Sequence, residues 1–246
     1  MQHTYAQVPA VAHMDFRKPR WVRILQMIAA VLLLALQLML LALTVGAISI
    51  GSMVATLLLA LLSGVMLPIS RYMVREARAS WRWRLQIEGN QLVLKLPAYR
   101  SQVHVTPADQ RTVHCSDIVR ILTREESYRN VGMVNAIRVF ALELINGERI
   151  FIGEDRSQGT SQATHYTADA VAAVQRAWDT PVTELPAAQG KSGYLGILGC
   201  VAPDWDDAGM SESEQLEFDR DKSKTNQILG YISLLVLVLI AVQNVV

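Results

Sequence analysis

The sequence predicts a membrane protein of mixed class: a transmembrane helical hairpin, an α+β cytoplasmic domain of antiparallel strands closed by a helix, and a C-terminal transmembrane helix. Three observations predict it. No charged residue occurs from Ile24 to Ile69, residues 228–246 are almost wholly apolar, and the stretch between them alternates apolar and polar residues around Gly89-Asn90 and Asn146-Gly147.

A helix needs about 20 apolar residues to cross the roughly 30 Å hydrocarbon core, so the first uncharged run fits two helices and a tight turn. The turn is expected at residues 44–49, TVGAIS. A cleaved signal peptide fits less well, because its apolar region is short and is followed by polar sequence. Arg17, Lys18, Arg20 and Arg23 precede the run, and Arg71, Arg75, Arg78, Arg82 and Arg84 follow it. The positive-inside rule then puts both flanks in the cytoplasm and the turn outside. The expected organisation is a basic cytoplasmic N-terminus over 1–23, the hairpin over 24–70, the main domain over 71–180, a Gly/Pro-rich then acidic linker over 181–225, and the anchor over 226–246. The expected location is the cell inner membrane, as a multi-pass protein with its N-terminus and main domain cytoplasmic.

Residues 83–96 read WRLQIEGNQLVLKL, with Gly89-Asn90 as a two-residue hairpin turn. Pairing Glu88 with Gln91 brings Trp83, Leu85 and Ile87 onto one face with Leu92, Leu94 and Leu96. Residues 137–155, IRVFALELINGERIFIGED, form a second hairpin around Asn146-Gly147, with apolar residues on both faces. Residues 115–125, CSDIVRILTRE, supply another strand. In HYTADAVAAVQRAW, Val171, Val174 and Trp178 fall at helical spacing before Thr180-Pro181 ends the helix. The acid-rich residues 204–221 read as a solvated spacer or short exposed helix.

A membrane hairpin followed by these strands and one terminal helix, over residues 81–180, resembles the bacterial membrane-anchored pleckstrin-homology-like proteins. The resemblance rests on element order and spacing. It implies an antiparallel bent sheet or partial barrel capped by the helix, with a binding or scaffolding role and no catalytic motif.

Arg71, Arg75, Arg78 and Arg82 recur at helical spacing below the second span and are the candidates for lipid headgroups, with a topology-setting flank as the plainer account. Ser52, Thr56, Ala60 and Gly64 recur every four residues and are the candidates for helix packing, against the first span or against a partner's helix. The spans carry no ionisable group, which argues against an ion pathway within this chain. Gln189-Gly190-Lys191-Ser192 resembles the end of a phosphate-binding loop, but Leu185 stands where the first glycine belongs. His104, His114, His165 and Cys115 match no metal spacing, and Glu125-Glu126 beside Arg124 and Arg129 reads as a solvated loop. Cys115 and Cys200 are expected as reduced thiols.

These readings lead to a non-enzymatic membrane protein that binds a partner protein, and lipid beside it, as an assembly or regulatory factor. No catalytic residue, metal or cofactor is expected. The partners are the bilayer and another membrane protein or a second copy, without nucleic acid. The alternatives are an accessory subunit of a membrane transporter or complex, and a membrane-bound enzyme using His104, His114, Cys115 or Asp117.

Overall fold

The uncharged run folds as two 30-residue helices, α1 (Arg20–Ser49) and α2 (Met53–Arg82), in a computed structural model that describes residues 13–101, 103–130, 133–156, 166–193, 199–206 and 208–243. The helix turn falls at residues 50–52, later than the sequence suggested. Gly51 adopts φ 71°, its amide donates to the Ile48 carbonyl, and the Ser52 amide reaches back to the Ala47 carbonyl. This double closure requires a left-handed residue, which favours Gly51 and leaves Gly46 inside the helix.

Ala30, Gln37, Leu40 and Ala47 of α1 are buried, as are Ser63, Ser70 and Ala77 of α2. Their seven-residue recurrence makes a narrow seam of mostly small side chains that lets the two backbones approach. Gln37 Nε2 donates across it to the Ser63 carbonyl at 3.3 Å. Both helices are long and apolar enough to cross a membrane, and only 17% and 11% of their apolar windows are buried, unlike core helices of a soluble protein.

The chain divides into two compact units, Met1–Cys115 and Ser116–Val246. In the first, the strand β1 (Met14–Arg17) precedes α1 and pairs antiparallel with β2 (Arg84–Glu88), which follows α2. Continuing through β3 (Gln91–Leu96) and β4 (Asp109–His114), the sheet has the order β1-β2-β3-β4. The β2–β3 register pairs Glu88 with Gln91 and Leu85 with Leu94, as the alternation predicts, and Trp83, Leu85, Ile87, Leu92, Leu94 and Leu96 are buried.

The second unit is a five-stranded sheet of order β7-β6-β5-β8, from β5 (Ile118–Asn130), β6 (Met133–Leu144), β7 (Arg149–Arg156) and β8 (Val182–Glu184), with β9 (Ala188–Gln189) also on β5. The Asn146-Gly147 turn joins β6 to β7, with Gly147 at φ 80°. Both faces of this hairpin are buried, since Ala141, Leu142, Ile150 and Ile152 are all shielded from solvent. The helix α3 (Tyr166–Trp178) is capped by Asp155 of β7, whose carboxylate accepts from the Thr167 and Ala168 amides at 3.2 and 2.7 Å.

Two expectations of the fold class are corrected. Neither sheet closes: β1 and β4 are free edges of one, β7 and β8 end the other, so no barrel or partial barrel forms among the described residues. The C-terminal transmembrane helix is not among the spans found: the two candidates among the described residues are both N-terminal. Residues 228–243 form the second half of one long helix, α4 (Glu212–Gln243). Its first half is the acid-rich stretch: Glu212, Glu214, Glu217 and Asp219 are exposed, while Phe218 is buried against Val134 and Ala136, and Thr225 Oγ1 accepts from the Val134 amide at 3.1 Å. Ser211 and Glu214 start it with reciprocal side-chain-to-amide bonds, a capping box written in the sequence as SESE.

Asp15 tests the join between β1 and β2. Its carboxylate accepts from Arg84 Nε and Nη2, both at 2.8 Å, and Arg84 followed by Arg17 holds its pKa below the usual carboxylate range. A lowered folded pKa means that the pair stabilises above the ordinary value of about 3.9 and is lost as pH falls through the lowered one. Asp15→Asn imitates that loss at neutral pH. Because the pair is part-exposed, it should weaken β1 docking by up to about 1 kcal/mol, read as faster tryptic cleavage after Arg17 and Lys18.

Candidate functional site

The apolar stretch of α2 ends at Ile69, and the helix continues for three further turns that carry Arg71, Arg75, Arg78 and Arg82. Because β2 starts where α2 ends and β3 runs back antiparallel to it, the connection from β3 to β4 emerges at the helix end of the sheet. The two ends of that connection, residues 97–99 and Ala108, meet the arginine-bearing face of α2. Together they outline a pocket of about 660 Å3, lined by Arg75, Arg78, Arg82, Lys95, Tyr99 and Asp109 above an apolar floor that includes Ala79 and Leu96.

The connection is pinned from within. The buried Arg100 guanidinium donates to the Pro97 and Pro107 carbonyls at 3.1 and 2.7 Å, and its burial lowers its pKa to about 10. Arg75 stacks its guanidinium on the Tyr99 ring, 4.6 Å from the centroid. Asp109, the one carboxylate of the lining, already accepts from Arg111 Nε at 2.8 Å. Among the described residues no carboxylate forms an ion pair with Arg78, Arg82 or Lys95. The pocket is therefore a concave, strongly cationic surface whose donors suit phosphate or carboxylate oxygens.

Three of the four sequence-predicted headgroup residues thus meet in one site, whereas Arg71 is exposed outside it. Lys95, Tyr99 and Arg100 are the lining and supporting residues that the sequence did not reveal. Their one signal is the pair Pro97 and Pro107, which bounds the connection.

The packing candidates divide. Ser52 and Thr56 are half-buried near the turn, but Ala60 and Gly64 are exposed, and a Cβ added at Gly64 would meet nothing within 4 Å. The seam with α1 uses Ser63, Ser70 and Ala77 instead, so Ala60 and Gly64 do not pack the hairpin.

Of the candidates for chemistry, His114 Nδ1 lies 3.9 Å from Cys115 Sγ, Asp117 is exposed, and the His104 amide donates to Ser101 Oγ at 2.8 Å. His165 lies outside the described residues. Among those residues no group of three metal-ligating side chains gathers. The Lys191 backbone, part of the failed phosphate loop, bridges to Val201.

Glu125 and Glu126 prove to be strand residues. Glu126 is fully buried on β5 and binds Arg124 Nε at 2.8 Å and the Tyr128 hydroxyl at 2.6 Å, while Glu125 pairs with Lys222 of α4. Arg124 donates further to the Pro203 and Asp204 carbonyls and lies 4.7 Å from the Trp205 ring centroid. Burial, then the Glu126 charge, pushes the Tyr128 pKa up, so the phenol stays a donor. Gly190 passes so close that a Cβ there would lie 2.1 Å from Tyr128 Cε1. This cluster holds Gly190 and residues 203–205 against β5 and is structural.

Comparison with protein-family models, with curated proteins and with solved structures finds no match.

Removing one partner of the buried pair leaves the other charge uncompensated, a loss of about 3–5 kcal/mol. Glu126→Gln should lower the unfolding free energy by that order, followed by tryptophan emission through Trp205 during denaturant titration. Tyr128→Phe should cost less, about 1–3 kcal/mol, since it strips one hydrogen bond from a carboxylate that keeps Arg124.

Proposed function

We propose that the chain is a membrane-anchored, non-enzymatic binding module. In this reading the hairpin crosses the cell inner membrane, both its ends face the cytoplasm, and the domain beyond it serves a membrane partner as an assembly or regulatory factor. One observation carries it: β1 pairs with β2, so the charged ends of α1 and α2 are tied to one sheet bearing a cationic pocket.

The physical support is consistent. About 20 residues of each 30-residue helix suffice for the hydrocarbon core, which leaves the arginine-bearing turns of α2 at headgroup level. Arg20 and Arg23 on α1 add to the same basic flank, and a cationic excess on both ends of a hairpin favours the cytoplasmic side. Exposed Trp21 and Trp81 suit the membrane interface, and Arg23 stacks on Trp81 at 4.6 Å. A domain held at the surface meets membrane partners at high effective concentration even when each contact is weak.

The test is two-sided labelling of single cysteines in a Cys115→Ser, Cys200→Ser background. Ile50→Cys at the helix turn should react only from outside, and Glu88→Cys at the strand turn only from the cytoplasm. Reaction of both from one side would remove the spanning hairpin.

A second reading, an accessory subunit of a membrane complex, is favoured by the exposure of Ala60 and Gly64, which leaves a small-residue surface open to another helix. Gly64→Leu should then release the partner during mild-detergent purification while the hairpin stays folded. Unchanged recovery would count against that subunit role.

A further inference from the structure

Resting on the membrane-anchored reading, we infer that the pocket at the foot of α2 is a headgroup site for an anionic phospholipid carrying two phosphates. Arg75, Arg78 and Arg82 are spread over seven residue steps of helix, a rise of about 10 Å, which is wider than one phosphate. Lys95 faces them from β3, so the cations approach the ligand from two elements rather than along one helix. Asp109 is taken up by Arg111, so four cations face the pocket without a competing anion. A single phosphodiester would neutralise one of them, whereas a diphosphate headgroup meets two or more.

The shape agrees with this ligand. A volume of about 660 Å3 is that of a typical small-molecule site. Arg100 holds the wall by the two proline-flanked carbonyls, and Tyr99 aligns Arg75, so the donors are arranged before the ligand arrives. The apolar run of α2 ends at Ile69, less than two turns before Arg75, which puts the pocket where a headgroup is found when its acyl chains lie beside the helix. A topology-setting flank needs arginines near a span, but it needs neither a strand lysine nor a pinned loop.

The shared chemistry of a diphosphate could also come from a soluble anion, and the experiment separates the sources. The full-length chain in phosphatidylcholine nanodiscs is titrated with cardiolipin, with phosphatidylglycerol or with inorganic pyrophosphate, and bound ligand is counted by native mass spectrometry. Cardiolipin should bind tightest. At about 1 kcal/mol per cation, Lys95→Gln should weaken it about fivefold, and Arg78→Gln, Arg82→Gln and Lys95→Gln together on the order of a hundredfold. Arg20→Gln, a flank residue outside the pocket, should leave it unchanged. Equal cardiolipin binding by all variants overturns the site, phosphatidylglycerol binding as tight as cardiolipin overturns the two-phosphate ligand, and pyrophosphate binding as tight as cardiolipin overturns the lipid. Cysteine labelling of the same nanodiscs reports insertion separately, so the pocket can fail while the spanning hairpin stands.

Discussion

Antiparallel pairing of residues 14–17 with residues 84–87 joins segments separated by the whole helical hairpin. Such a contact closes a long loop, and its cost is offset because α1 and α2 already run side by side and deliver their ends to one place. Once β1 is seated, Phe16 lies opposite Leu85 and Asp15 is within reach of Arg84, so packing and charge fix the same register. Everything that follows in the first unit inherits its position from this join. β2 is anchored at its first residue, β3 returns toward the helices, and the connection to β4 has nowhere to go but onto α2.

The pocket depends on that sequence of constraints. Helical spacing makes three arginines neighbours, yet a helix surface alone presents a ridge. Concavity comes from the two ends of the connection, residues 97–99 and Ala108, which one buried guanidinium ties together through the Pro97 and Pro107 carbonyls. An arginine thus has two distinct uses within one unit: Arg100 is spent on the scaffold, and Arg78 and Arg82 face the space it frames.

How far the sequence revealed this follows from the range of each signal. Alternation around Gly89-Asn90 is local, and it specified the β2–β3 register residue by residue. β1, β8 and β9 are four, three and two residues long, too short for any periodicity, and each is a strand only because a partner lies elsewhere in the chain. Inside an uncharged run hydropathy has no contrast, so two glycines compete for the turn and only backbone handedness selects Gly51. Hydropathy also separated the apolar end of α4 from its acidic beginning, although the capping box at Ser211 and the buried Phe218 bind the two into one helix. The arginines of the candidate site were legible from spacing. Lys95 and Tyr99 were not, because their membership depends on a loop folding back onto a helix.

The treatment of arginine elsewhere in the chain gives the open cations of the pocket their meaning. Arg124 is buried and receives a carboxylate, two carbonyls and an aromatic face. Arg120 and Arg149 share Glu143, Arg84 takes Asp15, and Arg129 reaches Glu217 and Asp221 of α4. Acidic residues are nearly as numerous as basic ones in the chain as a whole, 22 against 23, so carboxylates are not scarce. Clustering like charges in a concave space raises the local potential and favours the arrival of a counter-charge. Among the described residues, the lining shared by Arg75, Arg78, Arg82 and Lys95 holds one carboxylate, and Arg111 engages it. On the proposed membrane-anchored reading, pairing here is left to something outside the chain, and a bilayer surface bearing phosphate is the nearest reservoir of such charge for a helix that is apolar up to Ile69.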